Sequence, residues 1–304
     1  MTASKHDIIA MLNEDMRGEH QAIVQYLLHA YAMEEGELPA EIEAISRDEM
    51  RHYDWLADAI VELGGTPTIE RMPVKRTADP VANLRLDVAA EEEAIALYEQ
   101  HLTAIDDPKL KRLLERIIHD EKAHREEFLK FAEEVAAMPA EEGEPADAQP
   151  LDPTVVDILD EGITHEYTVI LQYLHHSFVM PECEVSRELE MQAINEMQHL
   201  GWLAEELGGM GGHVKIERTA VNQSPDTSEM LAADIRAEQA VTEVYDEQLK
   251  QIDDEGLKQL IARIRDHEIY HTAVFSDLLQ SVRDEAEKAQ PPAPKRFTVG
   301  SLKK

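Results

Sequence analysis

The sequence predicts an all-α protein built from two tandem four-helix bundles. Apolar residues recur at helical spacing in four runs in each half, and no run of alternating β-branched residues suggests a strand. The two halves also repeat each other, and 304 residues is about twice the usual size of a domain. Aromatic residues make up only 5% of the chain, a composition that favours helices over sheets.

The internal repeat has an offset of 147 residues, the separation of Glu19 from Glu166. Residues 19–26, Glu-His-Gln-Ala-Ile-Val-Gln-Tyr, return as residues 166–173, Glu-Tyr-Thr-Val-Ile-Leu-Gln-Tyr. We predict one bundle over residues 1–137, a linker over 138–153, a second bundle over 154–288 and a tail over 289–304. Because the linker is rich in proline, alanine and acidic residues, it cannot build a core, and the halves should be tethered but separately folded.

The four helices of the first half are predicted over residues 5–35, 39–63, 80–105 and 108–135. Gly64-Gly65 can end the second helix, and Asp107-Pro108 offers a cap followed by proline at the first helical position. About fifteen residues join the second helix to the third, which is long for neighbours in an up-down bundle. The sequence therefore predicts one long crossover connection, which some four-helix bundles have.

The composition limits the partners and the compartment. A formal net charge of −34 would repel nucleic acid and anionic membranes. The same charge could gather cations, or it could serve solubility in a salty cytoplasm. With a single cysteine, Cys183, no signal-peptide core and no apolar stretch of membrane-spanning length, we expect a cytoplasmic protein.

A Glu-x-x-His pattern places a carboxylate and an imidazole one helical turn apart, so that both can bind one cation. In each half the order along the helices is a lone Glu, Glu-x-x-His, a lone Glu and Glu-x-x-His, the ligand set of a di-iron or di-manganese bundle. Of the consecutive acids 91–93, only position 91 is acidic in both halves. The twelve predicted metal ligands are Glu19, Glu49, His52, Glu91, Glu121, His124, Glu166, Glu196, His199, Glu238, Glu268 and His271.

The alternative is that these acids and histidines lie on solvated faces of acidic helices. Apolar neighbours at helical spacing, such as Ile23, Ile45 and Ile95, predict instead that they face inward. Buried carboxylates need a counter-charge, which metal ions supply. His29, His175 and His176 could form an entry path for ions, or they could be ordinary surface or core histidines.

The motifs at residues 48–52 (Asp-Glu-Met-Arg-His), 195–199 (Asn-Glu-Met-Gln-His), 87–91 and 120–124 resemble those of bacterioferritin and its ferritin-like relatives. The resemblance covers residues 4–137 and 152–288. It implies that each half holds two ferrous ions and oxidises them with dioxygen or peroxide. It also implies that one group of carboxylates bridges the ions, Glu49, Glu121, Glu196 and Glu268, and that another is terminal, Glu19, Glu91, Glu166 and Glu238. Manganese is the alternative metal.

The resemblance extends to two further pairs of residues. Tyr26 and Tyr173 match a tyrosine near the family's site, although a packed core tyrosine is the alternative. Met50 and Met197 match the methionine that ligates haem b at a two-fold interface, although a plain apolar contact is the default for methionine. If the two halves pack as a pseudo-dimer, both methionines could meet across one haem.

The tail, residues 291–304, has a proline-rich start followed by Phe-Thr-Val-Gly-Ser-Leu between basic residues. It resembles the loading peptides of encapsulin cargo, so residues 295–304 are predicted to dock on an encapsulin shell as an extended peptide. A disordered terminus is the alternative. The tail stands where bacterioferritin has a fifth helix, which argues against a self-made cage and for storage inside an encapsulin nanocompartment in the cytoplasm. The chain could also form a homo-oligomer.

The leading functional hypothesis is an encapsulated ferroxidase that converts Fe(II) to Fe(III) for iron storage and detoxification. One alternative is peroxide reduction in the manner of rubrerythrins or manganese catalases, although the chain has no Cys-x-x-Cys pair for a rubredoxin module. A third hypothesis is a non-catalytic iron-binding cargo protein.

Overall fold

The computed structural model describes residues 3–33, 36–138, 151–180 and 183–289. Within these ranges the regular structure is helical, with no strand. The helices are α1 (Lys5–Ala30), α2 (Glu37–Glu62), α3 (Pro80–Ala104), α4 (Pro108–Ala137), α5 (Pro153–Val179), α6 (Cys183–Gly209), α7 (Thr227–Gln248) and α8 (Glu255–Ala289). This confirms the predicted fold class of two four-helix bundles. Most of the linker and the docking segment 295–304 lie outside the described residues, and the exact domain limits stay a prediction.

The helix starts follow from their caps. Ser4 forms a capping box with Asp7, in which each side chain bonds the other residue's backbone N–H. Three other helices begin with an aspartate cap followed by proline, whose missing N–H would have no helical partner anyway, namely α3, α4 and α5. The first helix ends at Ala30 rather than at residue 35, because the chain turns at Tyr31, which is buried against the second half of the molecule.

Within each bundle the first two helices form one pair and the last two form another. In each bundle, a buried histidine on the first helix holds the crossover segment that joins the two helix pairs. His29 binds Asp87 through Nδ1 at 2.8 Å and the backbone oxygen of Lys75 through Nε2 at 3.1 Å. In the second half His176 does the same with Asp234 and the backbone oxygen of Asn222. Both rings are buried and hydrogen-bonded through both nitrogens, as expected for the alternative that these two are core histidines.

The two bundles share a core, which corrects the expectation of separately folded, merely tethered halves. Val24, Leu28 and Tyr31 of α1 belong to the same apolar cluster as the core of the second bundle. The contacts are also reciprocal: Arg71 bonds Glu217 at 3.2 Å and Arg218 bonds Glu70 at 2.6 Å. These positions are related by the 147-residue offset, so each half uses the same surface, as the subunits of a two-fold dimer do. The chain is a pseudo-symmetric dimer in a single polypeptide.

Candidate metal centres

In the first bundle each of the four helices turns its predicted ligands into the interior. All six residues are at most 4% exposed. The Nδ1 atom of His52 lies 2.8 Å from Oε2 of Glu49, 3.0 Å from Oε1 of Glu121 and 3.7 Å from Oε2 of Glu19. One imidazole nitrogen therefore lies close to three carboxylates, one on its own helix and one each on α1 and α4.

His124 gathers the other half of the same centre. Its Nδ1 atom lies 2.9 Å from Oε1 of Glu49, 3.5 Å from Oε2 of Glu121 and 4.0 Å from Oε1 of Glu91. Glu49 and Glu121 thus direct one oxygen toward each histidine. Two adjacent groups of side chains that could each hold a cation therefore share two carboxylates.

The second bundle repeats this arrangement. His199 Nδ1 lies 2.7 Å from Glu196 and 3.0 Å from Glu268, while His271 Nδ1 lies 2.6 Å and 3.1 Å from the same two carboxylates. The remaining acids, one for each histidine, are both 3.7 Å away, Glu166 and Glu238. All twelve predicted ligands are buried, so the alternative of solvated helix faces does not describe them.

Each centre contains four carboxylates around two imidazoles, and their pKa values reflect the crowding. Burial, followed by the charge of Glu268, raises the pKa of Glu238 to about 8. Burial alone would lower the pKa of His124, but the neighbouring carboxylates of Glu121 and Glu49 raise it to about 10. Without metal, protons therefore supply the counter-charge inside the cluster.

Several ligand atoms are buried without a hydrogen-bond partner. In the first centre they are Glu49 Oε1, Glu121 Oε1 and His124 Nδ1. The second centre has a larger set, Glu166 Oε2, both oxygens of Glu196, His199 Nδ1, Glu238 Oε2 and Glu268 Oε1. Buried polar atoms are normally paired, and here the unpaired ones face one another. A pair of hard divalent cations fits this donor set of oxygens and imidazole nitrogens.

Comparison with known proteins agrees with the fold. The family model described as Ferritin-like domain matches residues 9–138 and again residues 156–284. The chain belongs to the ferritin-like family.

Three relatives illustrate the similarity. Bacterioferritin of Desulfovibrio desulfuricans is 37% identical over 127 residues, 40% of this chain and 71% of that protein. Bacterioferritin BfrA of Mycobacterium tuberculosis is 31% identical over 125 residues, 39% of this chain and 79% of that protein. The structure of Rhodobacter capsulatus bacterioferritin, which has a metal-free dinuclear site and haem iron, matches 49% of this chain and 100% of its own at 25% identity and a TM-score of 0.43. The tandem arrangement itself rests on the family match to both halves.

Each terminal carboxylate of these ferritin-like centres accepts a hydrogen bond from a buried tyrosine. Tyr26 donates to Glu91 at 2.7 Å, and Tyr173 donates to Glu238. Two further tyrosines escaped the sequence-based assignment: Tyr98 donates to Glu19, and Tyr245 donates to Glu166 at 2.5 Å. The signal was available, because positions 98 and 245 are tyrosines at the repeat offset. All four tyrosines orient ligand oxygens rather than serving only as packing residues.

A cavity of about 590 Å³ lies between the two ferritin-like bundles, and Met50 and Met197 both line it. Most of the other lining side chains are apolar and come in pairs related by the repeat, Ile23 with Ile170, Val24 with Leu171, and Leu27 with Leu174. The cavity therefore straddles the pseudo-two-fold axis. One more pair that the sequence did not reveal lies there: the Tyr167 hydroxyl is 2.6 Å from Nε2 of the buried His20.

In the described part of the chain no helix is long and apolar enough to cross a membrane.

Proposed function

We propose that the protein is a ferroxidase that oxidises Fe(II) at two centres per chain. The proposal rests on the placement of two carboxylates in each centre, Glu49 with Glu121 and Glu196 with Glu268. Each of them directs one oxygen toward one histidine of its centre and the other oxygen toward the second histidine. Two carboxylates shared in this way hold two cations side by side. Hard oxygen ligands with two imidazoles suit iron or manganese.

Two adjacent ferrous ions provide the two electrons that convert one dioxygen to peroxide: 2 Fe(II) + O2 + 2 H⁺ give 2 Fe(III) + H2O2. With peroxide as oxidant, 2 Fe(II) + H2O2 + 2 H⁺ give 2 Fe(III) + 2 H2O. The protein contributes the pairing of the substrate ions, anionic ligands that favour the more highly charged ferric state, and a water-poor interior that strengthens this electrostatic preference. Ion binding displaces the protons that occupy the metal-free cluster.

The test is rapid mixing of the anaerobic chain, loaded with four Fe(II), with air-saturated buffer while ferric absorbance and oxygen consumption are recorded. We expect a fast phase of four Fe(II) per chain. Glu49→Ala should remove half of it, and adding Glu196→Ala should remove the rest. Glu92→Ala, which changes an exposed acid beside a ligand, is the matched control and should keep the full phase. Oxidation no faster than that of free iron in buffer overturns the proposal.

The same apparatus separates the rival functions. A ferroxidase accumulates Fe(III) in proportion to the dioxygen or hydrogen peroxide that it consumes, whereas a peroxide-reducing di-metal enzyme consumes many molecules of hydrogen peroxide per metal pair without net accumulation of Fe(III). A non-catalytic iron-binding cargo protein would bind four ions and exchange them without a redox step.

We further propose that the cavity between the bundles binds one haem b, whose iron the thioethers of Met50 and Met197 would hold. The fit rests on the pairing of these methionines across the pseudo-two-fold axis and on an apolar cavity within the usual size range of cofactor sites. A haem at this place would supply electron transfer between the protein interior and an external reductant. The apolar pairs that line the cavity would keep water away from the group, and Arg47 and Arg51, which also line it, could pair with its carboxylates.

Haem titration followed by the Soret band tests this assignment. We expect one haem per chain, and weak binding by the Met50→Ala, Met197→Ala double variant. Met191→Ala alters an exposed methionine on the same helix as Met197 and should bind haem normally. Unchanged haem binding by the double variant refutes the assignment.

The location inside an encapsulin shell is likewise a proposal, supported by the tail sequence alone. Co-expression with an encapsulin shell protein should yield shells that contain the full chain. A chain that stops at residue 289, or that carries Phe297→Ala, should remain outside them. Equal loading of the full and shortened chains contradicts the proposal.

A further inference from the structure

The two centres differ in the groups that stand behind their histidines. In the first centre Nδ1 of each histidine faces the carboxylates and Nε2 points outward. Oδ2 of Asp120 lies 3.6 Å from Nε2 of His52, and Oδ2 of Asp48 lies 3.5 Å from Nε2 of His124. Each of these histidines therefore has a carboxylate behind it, and each carboxylate also pairs with an arginine on its own helix, Asp48 with Arg51 and Asp120 with Arg116.

The second centre has lost both acids. The repeat offset places His267 where the first half has Asp120, and Asn195 where it has Asp48. Nε2 of His199 lies 2.8 Å from Nδ1 of His267, so a neutral ring takes the place of a carboxylate. Asn195 donates its side-chain amide to Gln192 on its own helix at 3.0 Å.

The arginines around these positions differ accordingly. Arg116 donates to Asp120 at 2.8 Å, whereas its repeat partner Arg263 lies over the ring of Trp202, 4.1 Å from the centroid. The side chain of Arg116 is 62% exposed while that of Asp120 is 18% exposed. Water thus screens the arginine more than the carboxylate, and the negative charge at Asp120 still acts on the histidine.

A carboxylate behind a ligand histidine does two things for a metal site. Its charge favours the proton on the outer nitrogen, and it raises the basicity of the nitrogen that faces the metal. His267 can accept the same proton, but it adds no negative charge. Loss of such outer partners typically costs 10- to 100-fold in metal affinity.

We propose that the first centre is the high-affinity centre and that the second binds divalent metal ions 10- to 100-fold more weakly. The first centre then keeps its ions as a resident pair, and the second exchanges its ions with the surroundings. The difference in affinity comes from Asp48 and Asp120 of the first centre, which the second centre replaces by Asn195 and His267. This inference rests on the proposed function only in taking both clusters as metal centres.

Calorimetric titration of the metal-free full chain with Co(II), which needs no oxidation chemistry, tests the proposal. We expect two classes of two ions each, with dissociation constants that differ 10- to 100-fold. Exchanging the outer residues of the second half, Asn195→Asp with His267→Asp, should merge the classes into four tight ions. The reverse exchange in the first half, Asp48→Asn with Asp120→His, should merge them into four weak ions.

The two exchange variants serve as reciprocal tests, so one that fails to fold leaves the other to decide. Helical circular dichroism and the melting temperature establish folding before titration. Four equivalent ions in the wild type, or two classes that persist in a folded exchange variant, overturn the inference and leave the proposed function standing. No binding of Co(II) at either centre overturns both.

Discussion

Replacing Glu238 by Gln should flatten the pH dependence of stability of the metal-free protein. The side chain is fully buried, and its pKa is raised from 4.5 to about 8, first by burial and then by the charge of Glu268. Between these two values the native carboxyl keeps a proton that the unfolded chain has released. Its contribution to stability is therefore complete below pH 4.5 and is lost as the pH rises through 8.

The magnitude follows from the width of that window. Each pH unit in which the native state holds one extra proton lowers the free energy of unfolding by about 1.4 kcal/mol. Between pH 6 and pH 9 the group titrates over roughly two of those units, so Glu238 accounts for about 3 kcal/mol of the wild-type fall. A glutamine has nearly the same size and can still accept the Tyr173 hydrogen bond, but it does not ionise.

Urea unfolding of the chelator-treated protein at pH 6 and pH 9, followed by circular dichroism, measures the difference. Glu238→Gln should lose about 3 kcal/mol less than wild type across this range. Glu166→Gln is the control in the same centre, because the nearby imidazole of His199 outweighs burial and lowers the pKa of Glu166, which is ionised in both states from pH 6 to pH 9. Equal losses in wild type and Glu238→Gln would refute the electrostatic description of the centre.

Two further predictions concern the interface and the tyrosines. A Cβ atom on Gly208 would clash with the backbone oxygen of Tyr31, so Gly208→Ala should destabilise the chain by about 1–3 kcal/mol in the same unfolding assay. The control is Gly209→Ala, whose Cβ would meet nothing within 4 Å and which should stay within about 1 kcal/mol of wild type. Tyr98→Phe removes the hydroxyl that bonds a ligand carboxylate of the first centre and should weaken Co(II) binding there by about 10-fold or more, since hydrogen bonds to charged groups contribute about 1.5–3 kcal/mol. Tyr53→Phe, whose hydroxyl bonds a backbone oxygen outside the centre, should leave the titration unchanged, and equal effects of the two substitutions would count against the assigned role.

The sequence was sufficient for the features that repeat along the chain. Helical periodicity, aspartate-proline starts and the 147-residue offset predicted the helices and the order of the ligands. These are local properties or properties of one helix face, and the burial of all twelve ligands follows from them.

The packing between the bundles could not be predicted in the same way. The linker composition indicated independent halves, yet Arg71 with Glu217, and Arg218 with Glu70, join two surfaces that are distant in sequence. Individual charged residues on acidic helices give no sign of which partner they meet across an interface. The early end of α1 has the same origin, because the apolar pattern continues past Ala30 while Tyr31 turns to pack on the other bundle.

The position of site tyrosines was only half predicted. The resemblance predicts Tyr26 but not Tyr98, although Tyr98 returns as Tyr245 at the repeat offset. Its hydroxyl reaches Glu19 from a helix that is distant in sequence, 79 residues along the chain. A repeated buried tyrosine beside carboxylates at helical spacing is the signal that would have identified it.

The positions of bound ions show whether each bundle holds two cations between two shared carboxylates. Crystals of the metal-free chain soaked anaerobically with Mn(II) can be measured for anomalous scattering. We expect four anomalous peaks per chain in two pairs, with about 3.5–4 Å between the members of a pair. Glu49 and Glu121 should lie between the two ions of the first pair, and Glu196 and Glu268 between those of the second. Peaks confined to surface acids, or a single ion in each bundle that contacts only one histidine, would contradict it.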